Sequence, residues 1–490
     1  MTEALVIATL ALPVCAAGLL ALRLPPAAAR RLNTACALAV AGAAAALAIV
    51  ELSQIGTPVA GRWYAIDPAG AVFLLVIAAV GLMSALASPA YLSASVQSFF
   101  KGARARAAYY AALYLFWAAL LAVAVADNLA VAWLLIEATT AASALLVAFS
   151  GRPNALEAGW KYLVLTTLGL TVALLGIIAL YAELAGGHGH GALATLDWHS
   201  IHRLAAGLDD RSALLALVLI IGGLAAKVGW SPVHNWLPDA HSEAPPPVSA
   251  LLSAALLPTV MLVAWRAQVA LEPGTGGAVS GLLLAFGLGS LAVAVPFLWR
   301  ELPLKRLLAY SSLEHMGILA IGMGFAHPLA TAGVLLHVGG HALAKSLGFY
   351  ATIPLLRRDP ELGRRPAHGL FAISPAGATA ITVSLISLGG LPPSPLFFSE
   401  LLILLGGLAA GQTVVVVVAA ALLALGFLGL AQSTIEGVVS DVRATGAARA
   451  GGRRMSLLTG AVSIALLALS AGIYVLPDSR LVTQVMGAVL

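Results

Sequence analysis

Apolar runs of about 20 residues recur along the whole chain, separated by polar stretches too short to hold a soluble domain. A run of that length crosses the hydrocarbon core of a bilayer as a helix. In lipid every backbone group must be satisfied within the protein, so spanning segments are helices or closed barrels. Fourteen runs can be counted, at about 3–22, 33–52, 69–92, 106–126, 128–149, 157–182, 212–230 with a short continuation, 246–270, 278–299, 303–324, 329–355, 371–409 with a break, 413–436 and 455–476. The chain is therefore expected to be an all-α polytopic membrane protein of about 14 transmembrane helices. With 61% hydrophobic and 10% charged residues, it departs from the composition of soluble domains. The first run opens Met-Thr-Glu without a basic leader and is taken as a retained span, not a cleaved signal.

The net charge of +5 carries its information in its distribution. Of the 26 basic residues, 18 follow odd-numbered runs: Arg23, Arg30, Arg31, Lys101, Arg104, Arg106, Arg152, Arg300, Lys305, Arg306, Arg357, Arg358, Arg364, Arg365, Arg443, Arg449, Arg453 and Arg454. Only 5 lie in loops and ends on the other side, at Arg62, Arg203, Arg211, Arg266 and Arg480. Lys161, Lys227 and Lys345 fall within runs. The positive-inside rule then places the odd loops in the cytoplasm and both termini outside; the membrane is expected to be a bacterial cytoplasmic (inner) membrane.

Several chemistries find no residues to carry them. Cys15 and Cys36 are the only cysteines, each inside an apolar run, so the chain holds no iron–sulfur cluster by itself. No phosphate-binding Gly-x-x-x-x-Gly-Lys-Ser/Thr loop occurs, and Gly322 and Gly324 are read as helix packing. No cofactor, redox centre or nucleic-acid partner is expected. Transport by such a chain is driven by an ion gradient or by a partner.

Two spans are broken by proline, the seventh at Trp230-Ser-Pro232 and the twelfth at Gly389-Gly-Leu-Pro392-Pro393-Ser-Pro395. Each break lies beside a titratable residue, Lys227 or Glu400. Broken helices at membrane depth are tolerated where protein or a water-filled cavity covers the freed backbone, and paired breaks mark internal repeats. Breaks five spans apart imply two inverted five-helix repeats: residues 106–270 (helices 4–8) and 271–440 (helices 9–13), after three N-terminal helices in 1–105 and before a final helix in 441–490.

The buried titratable residues form a set. Glu137 lies mid-span, and Lys227 is its obvious partner in the same half. A carboxylate beside the lysine favours the ammonium; moving it away leaves desolvation to favour the neutral amine, so a movable pair is a proton switch. His337, His341 and Lys345 are spaced four apart and share one helix face, a stripe about 12 Å long at ~6 Å per step. Such a stripe can pass protons through intervening water, and its Met-free, acid-free setting argues against a metal. Lys161 on the sixth span is placed to bridge to Lys227, Glu314 and His315 lie near the start of the tenth, and Glu400 is the terminal donor or acceptor. Lys305 and Arg306 are expected to be interfacial anchors. His234, Asp239, His241 and Glu243, beyond the first break, either line a cytoplasmic access or cap helix ends. His188, His190, His199 and His202 crowd the long outer loop at 186–211, where flanking glycines favour a mobile surface loop over a metal site. The 436–454 loop is expected to meet anionic headgroups or a cytoplasmic partner.

The stretch from Lys227 through Pro232-Val-His-Asn-Trp-Leu-Pro-Asp-Ala-His241 to Pro247-Val-Ser-Ala-Leu-Leu252 resembles the signature of the antiporter-like membrane subunits of respiratory complex I, multisubunit sodium/proton antiporters and membrane-bound hydrogenases. Leu307-Leu-Ala-Tyr-Ser-Ser-Leu-Glu-His-Met-Gly317 and His341-Ala-Leu-Ala-Lys-Ser346 match further motifs, and Ile136-Glu-Ala-Thr-Thr140 looks most like component F of hydrogenase-4 and formate hydrogenlyase-type complexes. The resemblance implies fourteen helices with broken helices 7 and 12. It also implies Glu137 and Lys227 as a switching pair, His341 and Lys345 as central relay, and Glu400 as terminal group. The implied partners are other membrane subunits of a redox complex and, through them, a peripheral hydrogenase or dehydrogenase arm. Where several relatives carry a titratable residue in the eighth span, this chain has Leu256-Leu-Pro258-Thr, so water and Lys161 bridge the gap or this half conducts poorly. The expected function is proton translocation within a redox-driven complex, by a subunit that does no redox chemistry itself. A stand-alone or multisubunit sodium/proton antiporter would differ in sodium dependence and in working without redox subunits. A non-conducting scaffold for a redox or bicarbonate-handling partner would tolerate neutralisation of Lys227.

Overall fold

The computed structural model describes residues 2–53, 59–61, 63–93, 102–188, 196–275, 277–439 and 453–469. Expectations placed on Arg62, Lys101, His190, Arg443, Arg449 and Arg480, and on the side chains of His188, Arg453 and Arg454, lie outside the described residues. The fold opens with α1 (Thr2–Ala21), α2 (Pro26–Ser53), a small hairpin of β1 (Val59–Ala60) and β2 (Ala65–Ile66), and α3 (Pro68–Leu92). Next come α4 (Ala103–Val125), α5 (Leu129–Val147), α6 (Pro153–His188), the short α7 (Trp198–Ala205) and α8 (Asp210–Val228). Past the first break lie α9 (Leu237–Glu243), α10 (Pro246–Leu251), a π-helical turn at Leu252–Leu256 and α11 (Leu257–Thr275). The second half holds α12 (Ala278–Leu298), α13 (Leu304–Gly324), α14 (Pro328–Arg358), α15 (Leu370–Ile373), α16 (Pro375–Leu388), α17 (Pro395–Ala409) and α18 (Thr413–Val439), followed by α19 (Arg453–Leu469).

Among the described residues, ten helices are long and apolar enough to cross a membrane. The chain is a multi-pass membrane protein, and the shorter apolar helices Pro375–Leu388 and Pro395–Ala409 flank the second break. Burial separates the helices into layers. The apolar window of Pro246–Thr275 is 100% buried, whereas those of α6 and α18 are 33% buried, with Leu168, Leu175, Val414 and Val417 facing outward. In lipid there is no hydrophobic drive between helices, so close backbone approach holds them together. A Cβ added at Gly223 would lie 2.3 Å from Ala173 N, and one at Gly169 would lie 2.3 Å from Ala226 Cβ, which fixes α6 against α8. The second half repeats this, with Gly287 against Gly317 O and Ile321 where α12 meets α13. Gly322 and Gly324 also serve packing, against Val334 and Leu284.

At both breaks the freed polar groups find partners. Gly229 closes α8 in a left-handed conformation, and Gly229 N and Trp230 N both donate to Ala225 O. Trp236 Nε1 donates to Ala226 O at 2.6 Å, Trp230 Nε1 to Met316 O at 2.8 Å, and Ser231 N to Ser290 Oγ at 3.0 Å. At the second break Ser394 Oγ donates to Ser387 O at 3.0 Å and accepts from Leu396 N at 3.1 Å, capping α17. Satisfied carbonyls and amides are what let an interrupted helix persist inside a bundle.

Candidate functional site

Lys227 sits on the last turn of α8, fully buried. Its Nζ donates to Thr140 Oγ1 at 2.7 Å and to Tyr162 OH at 2.5 Å, and lies 4.3 Å from the centre of the Tyr162 ring. The hydroxyl directions follow from the chain of bonds. Thr140 Oγ1 donates to Ile136 O, and Ser143 Oγ donates to Thr139 O at 2.5 Å. Tyr162 OH therefore donates to Ser143 Oγ at 2.8 Å, and both Thr140 and Tyr162 accept from the lysine. Glu137 stands apart. It is half-buried one helical turn before Thr140, accepts from Thr167 Oγ1 at 3.4 Å, and makes no direct contact with Lys227. The expected pair is thus separated in this structure, with Thr140 between its members.

Lys161 does not bridge to Lys227. Its Nζ lies 2.5 Å from Glu157 and 3.7 Å from Asp239, and Asp239 also meets Arg306 at 3.2 Å. Glu243 pairs with Arg152 at 3.1 Å. Asp239 and Glu243 therefore belong to an ion-pair network just beyond the first break, and neither caps a helix. Lys305 departs from its expected role as an anchor: it is buried and donates to Ser242 O at 2.6 Å and to Ala244 O, holding the carbonyl end of α9 from α13. His234 is half-buried at the break beside the exposed Pro232. His241 is fully buried between the halves, with Nδ1 2.9 Å from Leu237 O, and its ring is 6.1 Å from Trp236 and 6.2 Å from Phe349 of α14.

The second half gathers the remaining residues. Lys345 Nζ donates to Leu308 O at 2.5 Å and to Ser311 Oγ, fully buried. His315 Nδ1 lies 3.0 Å from His337 Nε2, and His337 Nδ1 lies 2.8 Å from Ser399 Oγ. The His341 ring is 5.1 Å from that of His315 and 6.4 Å from that of His337, as the four-residue stripe on α14 requires. Glu314 is buried against α18, where a Cβ at Gly426 would lie 2.0 Å from its Oε1. The acid-free setting expected around these histidines is not what the fold builds. Glu400 arrives from α17, next to Ser399, and ligand atoms of His315, His337 and Glu400 all lie within 4.8 Å of one another. Gly390, at φ +68°, makes room for that carboxylate, since a Cβ there would lie 2.7 Å from Glu400 Oε2. Pro392 and Pro393 beside it are exposed.

Sequence reasoning missed the hydroxyls that hold the charges: Thr140, Ser143, Tyr162, Ser311 and Ser399. It also missed Arg266, counted with the loops and ends but buried in α11. Its Nε donates to Asp67 at 2.8 Å and its second amino group to Ala124 O at 3.1 Å. The one available signal was that an arginine or a tyrosine within an apolar run needs a partner.

Buried lysines at hydroxyl cradles, a histidine cluster and two broken helices thus sit together inside a multi-pass membrane protein. Residues 126–426 match the family described as NADH:quinone oxidoreductase/Mrp antiporter, transmembrane. The chain belongs to this family of antiporter-like membrane subunits. It is 31% identical over 346 residues to the hydrogenase-4 component F homolog of Methylacidiphilum infernorum (isolate V4), covering 70% of this chain and 72% of that one. It is likewise 31% identical over 346 residues to NADH-quinone oxidoreductase subunit N of Desulforudis audaxviator (strain MP104C), covering 68% and 64% of the two chains. In fold it is similar to a chain of the archaeal membrane-bound sulfane sulfur reductase, with TM-score 0.84, 20% identity and coverage of 99% and 97%. A chain of the Mrp complex from Dietzia sp. DQ12-45-1b gives TM-score 0.80 and 21% identity, with coverage of 100% and 99%.

Proposed function

We propose that this chain is the proton-translocating, antiporter-like subunit of a redox-driven membrane complex of the hydrogenase-4/formate hydrogenlyase or complex I type. The observation that carries the reading is that Lys227 and Lys345 are both fully buried and, among the described residues, donate their hydrogen bonds only to hydroxyls and a backbone carbonyl. An ammonium in that setting lacks a counter-charge, so its protonation responds to any carboxylate that approaches or withdraws. Glu137 is one turn from the Thr140 that Lys227 touches, and Glu314 is the nearest carboxylate on the helix that holds Lys345. A redox partner that shifts Glu137 would switch Lys227 between holding and releasing its proton. His241 fills the gap left by Leu256-Leu257-Pro258 and passes the proton toward His341 and Lys345; His337, His315 and Glu400 then carry it to the second break. In this reading the chain has fourteen spans, two inverted five-helix repeats and both termini outside. Other membrane subunits link it to a peripheral hydrogenase or dehydrogenase arm. The Asp239–Arg306 and Glu243–Arg152 pairs guard the cytoplasmic approach.

The test is turnover-driven proton uptake by inside-out vesicles containing the native complex, compared with Lys345→Ala, with and without sodium. Loss of uptake with the complex still assembled and no sodium requirement supports the reading. Sodium-dependent uptake would move the chain to the sodium/proton antiporters, and undiminished uptake in Lys345→Ala would remove the second half from the path.

A further inference from the structure

The hydrogen-bonded histidines of the second half also have the geometry of a ligand set. Three side chains from three helices converge: His315 from α13, His337 from α14 and Glu400 from α17. The His315 Nδ1 to His337 Nε2 separation of 3.0 Å is close to the ~3.4 Å edge of a tetrahedron with metal–nitrogen bonds of about 2.0–2.1 Å. Glu400 offers a carboxylate oxygen within 4.8 Å of a ring nitrogen of each histidine, about an ångström of side-chain movement from such an edge.

Two independent observations point to a ligand. The first is the tautomer of His337. Ser399 Oγ donates to Leu396 O at 2.8 Å, so it accepts at 2.8 Å from His337 Nδ1–H, and this leaves a lone pair on Nε2 directed at the site. An outer hydrogen bond that fixes the ring and frees the other nitrogen is the usual support of a metal-bound histidine. The second is His341. It is fully buried, its ring is 5.1 Å from His315, and neither of its nitrogens has a hydrogen-bond partner among the described residues. Its nitrogens fall outside the set that lies within 4.8 Å of one another, so His341 takes the fourth position by moving toward the other three.

We propose that His315, His337 and Glu400, with His341 as fourth ligand, form a site for a zinc-class transition-metal dication. Imidazole nitrogens with one carboxylate select this class over sodium, magnesium or calcium, which prefer all-oxygen sets. Coordination asks one ring to change tautomer: His315 moves its proton from Nδ1 to Nε2, and Glu400 enters as a carboxylate. The ion approaches through the second break, where Pro392 and Pro393 are exposed beside the half-buried Glu400. Binding would occupy the lone pairs that protons use, so the bound ion would block transport. That consequence rests on the proposed relay, but the binding itself does not.

The test uses the full chain purified without a polyhistidine tag, titrated with Co2+ and then with Zn2+ as competitor. We expect one Co2+ per chain with the visible absorption of a four-coordinate nitrogen/oxygen site. His337→Gln and Glu400→Gln should each weaken binding by tenfold or more, and Ser399→Ala, which keeps every ligand, by about tenfold. Joint replacement of His188, His190, His199 and His202 by glutamine should leave it unchanged. Absence of stoichiometric binding, binding indifferent to His337→Gln and Glu400→Gln, or binding lost only with the outer-loop histidines would each overturn the site. Thermal unfolding of each variant identifies a folding defect, and the mild Ser399→Ala variant decides the matter if the ligand variants unfold. Proton uptake with chelator present separates the two readings. Binding without any transport defect in the variants would contradict the relay and leave the metal site standing.

Discussion

Tyr162 shows how much a single hydroxyl decides. It accepts from Lys227 and donates to Ser143, so its removal leaves two buried polar groups short of a partner. Each such loss costs about 1–3 kcal/mol. Tyr162→Phe is therefore expected to lower stability by a few kcal/mol and to slow proton uptake; Thr140→Val likewise leaves Lys227 one acceptor but spares the Tyr162–Ser143 bond and does less, and thermal unfolding and vesicle uptake measure both. Lys227, His341 and Lys345 were legible in the sequence because a charge or imidazole inside an apolar run is conspicuous. Thr140, Ser143 and Tyr162 were not. Small hydroxyl residues are common in apolar helices, where they bond their own preceding carbonyl, and only tertiary contact singles out those that also face a lysine.

At the scale of elements, the breaks were legible from their prolines, whereas several helices outrun the apolar runs that marked them: α2 begins at Pro26 and α6 extends to His188. What α13 and α14 bring together across helices was not, since spacing along one helix says nothing of the angle at which another arrives. Glu400 meeting His315 and His337, and Lys305 turning inward to α9, both follow from packing between distant segments. The π-helical turn at Leu252–Leu256 left no mark in the sequence either; there Ser253 Oγ meets Ser312 Oγ at 2.7 Å. The α18 face offers a direct test of packing. Gly426 lies against the Glu314 carboxylate, so Gly426→Ala must push it aside. Overpacking of this kind costs about 1–3 kcal/mol; we expect a lower melting temperature and reduced uptake, partly recovered by combining it with the shorter Glu314→Asp.

Over the whole molecule, the end predicted to face outward is tied together by Arg266, which joins α11 to Asp67 at the head of α3 and to the end of α4. Asp127 lies in the same region, between α4 and α5. Its burial, with Asp197 nearby, pushes its carboxyl up to about 6, against which Arg266 acts. The folded chain therefore takes up a proton near pH 6 that the unfolded chain takes up only near ~3.9. This contribution to stability grows as pH falls from about 6 toward 4 and is absent at neutral pH. Asp127→Asn should flatten the melting temperature over that window, as scanning calorimetry in micelles would record. Membership of the antiporter-like family was legible from Lys227 to Leu252, because that stretch combines a buried charge, a break and its covering residues in one segment. The rest of the relay depends on the proposed role of Lys227 as a proton switch. That role is tested by turnover-driven proton uptake into inside-out vesicles carrying the native complex, wild type against Lys227→Ala. Uptake is expected to be lost while the complex remains assembled; undiminished uptake in Lys227→Ala would rule the switch out.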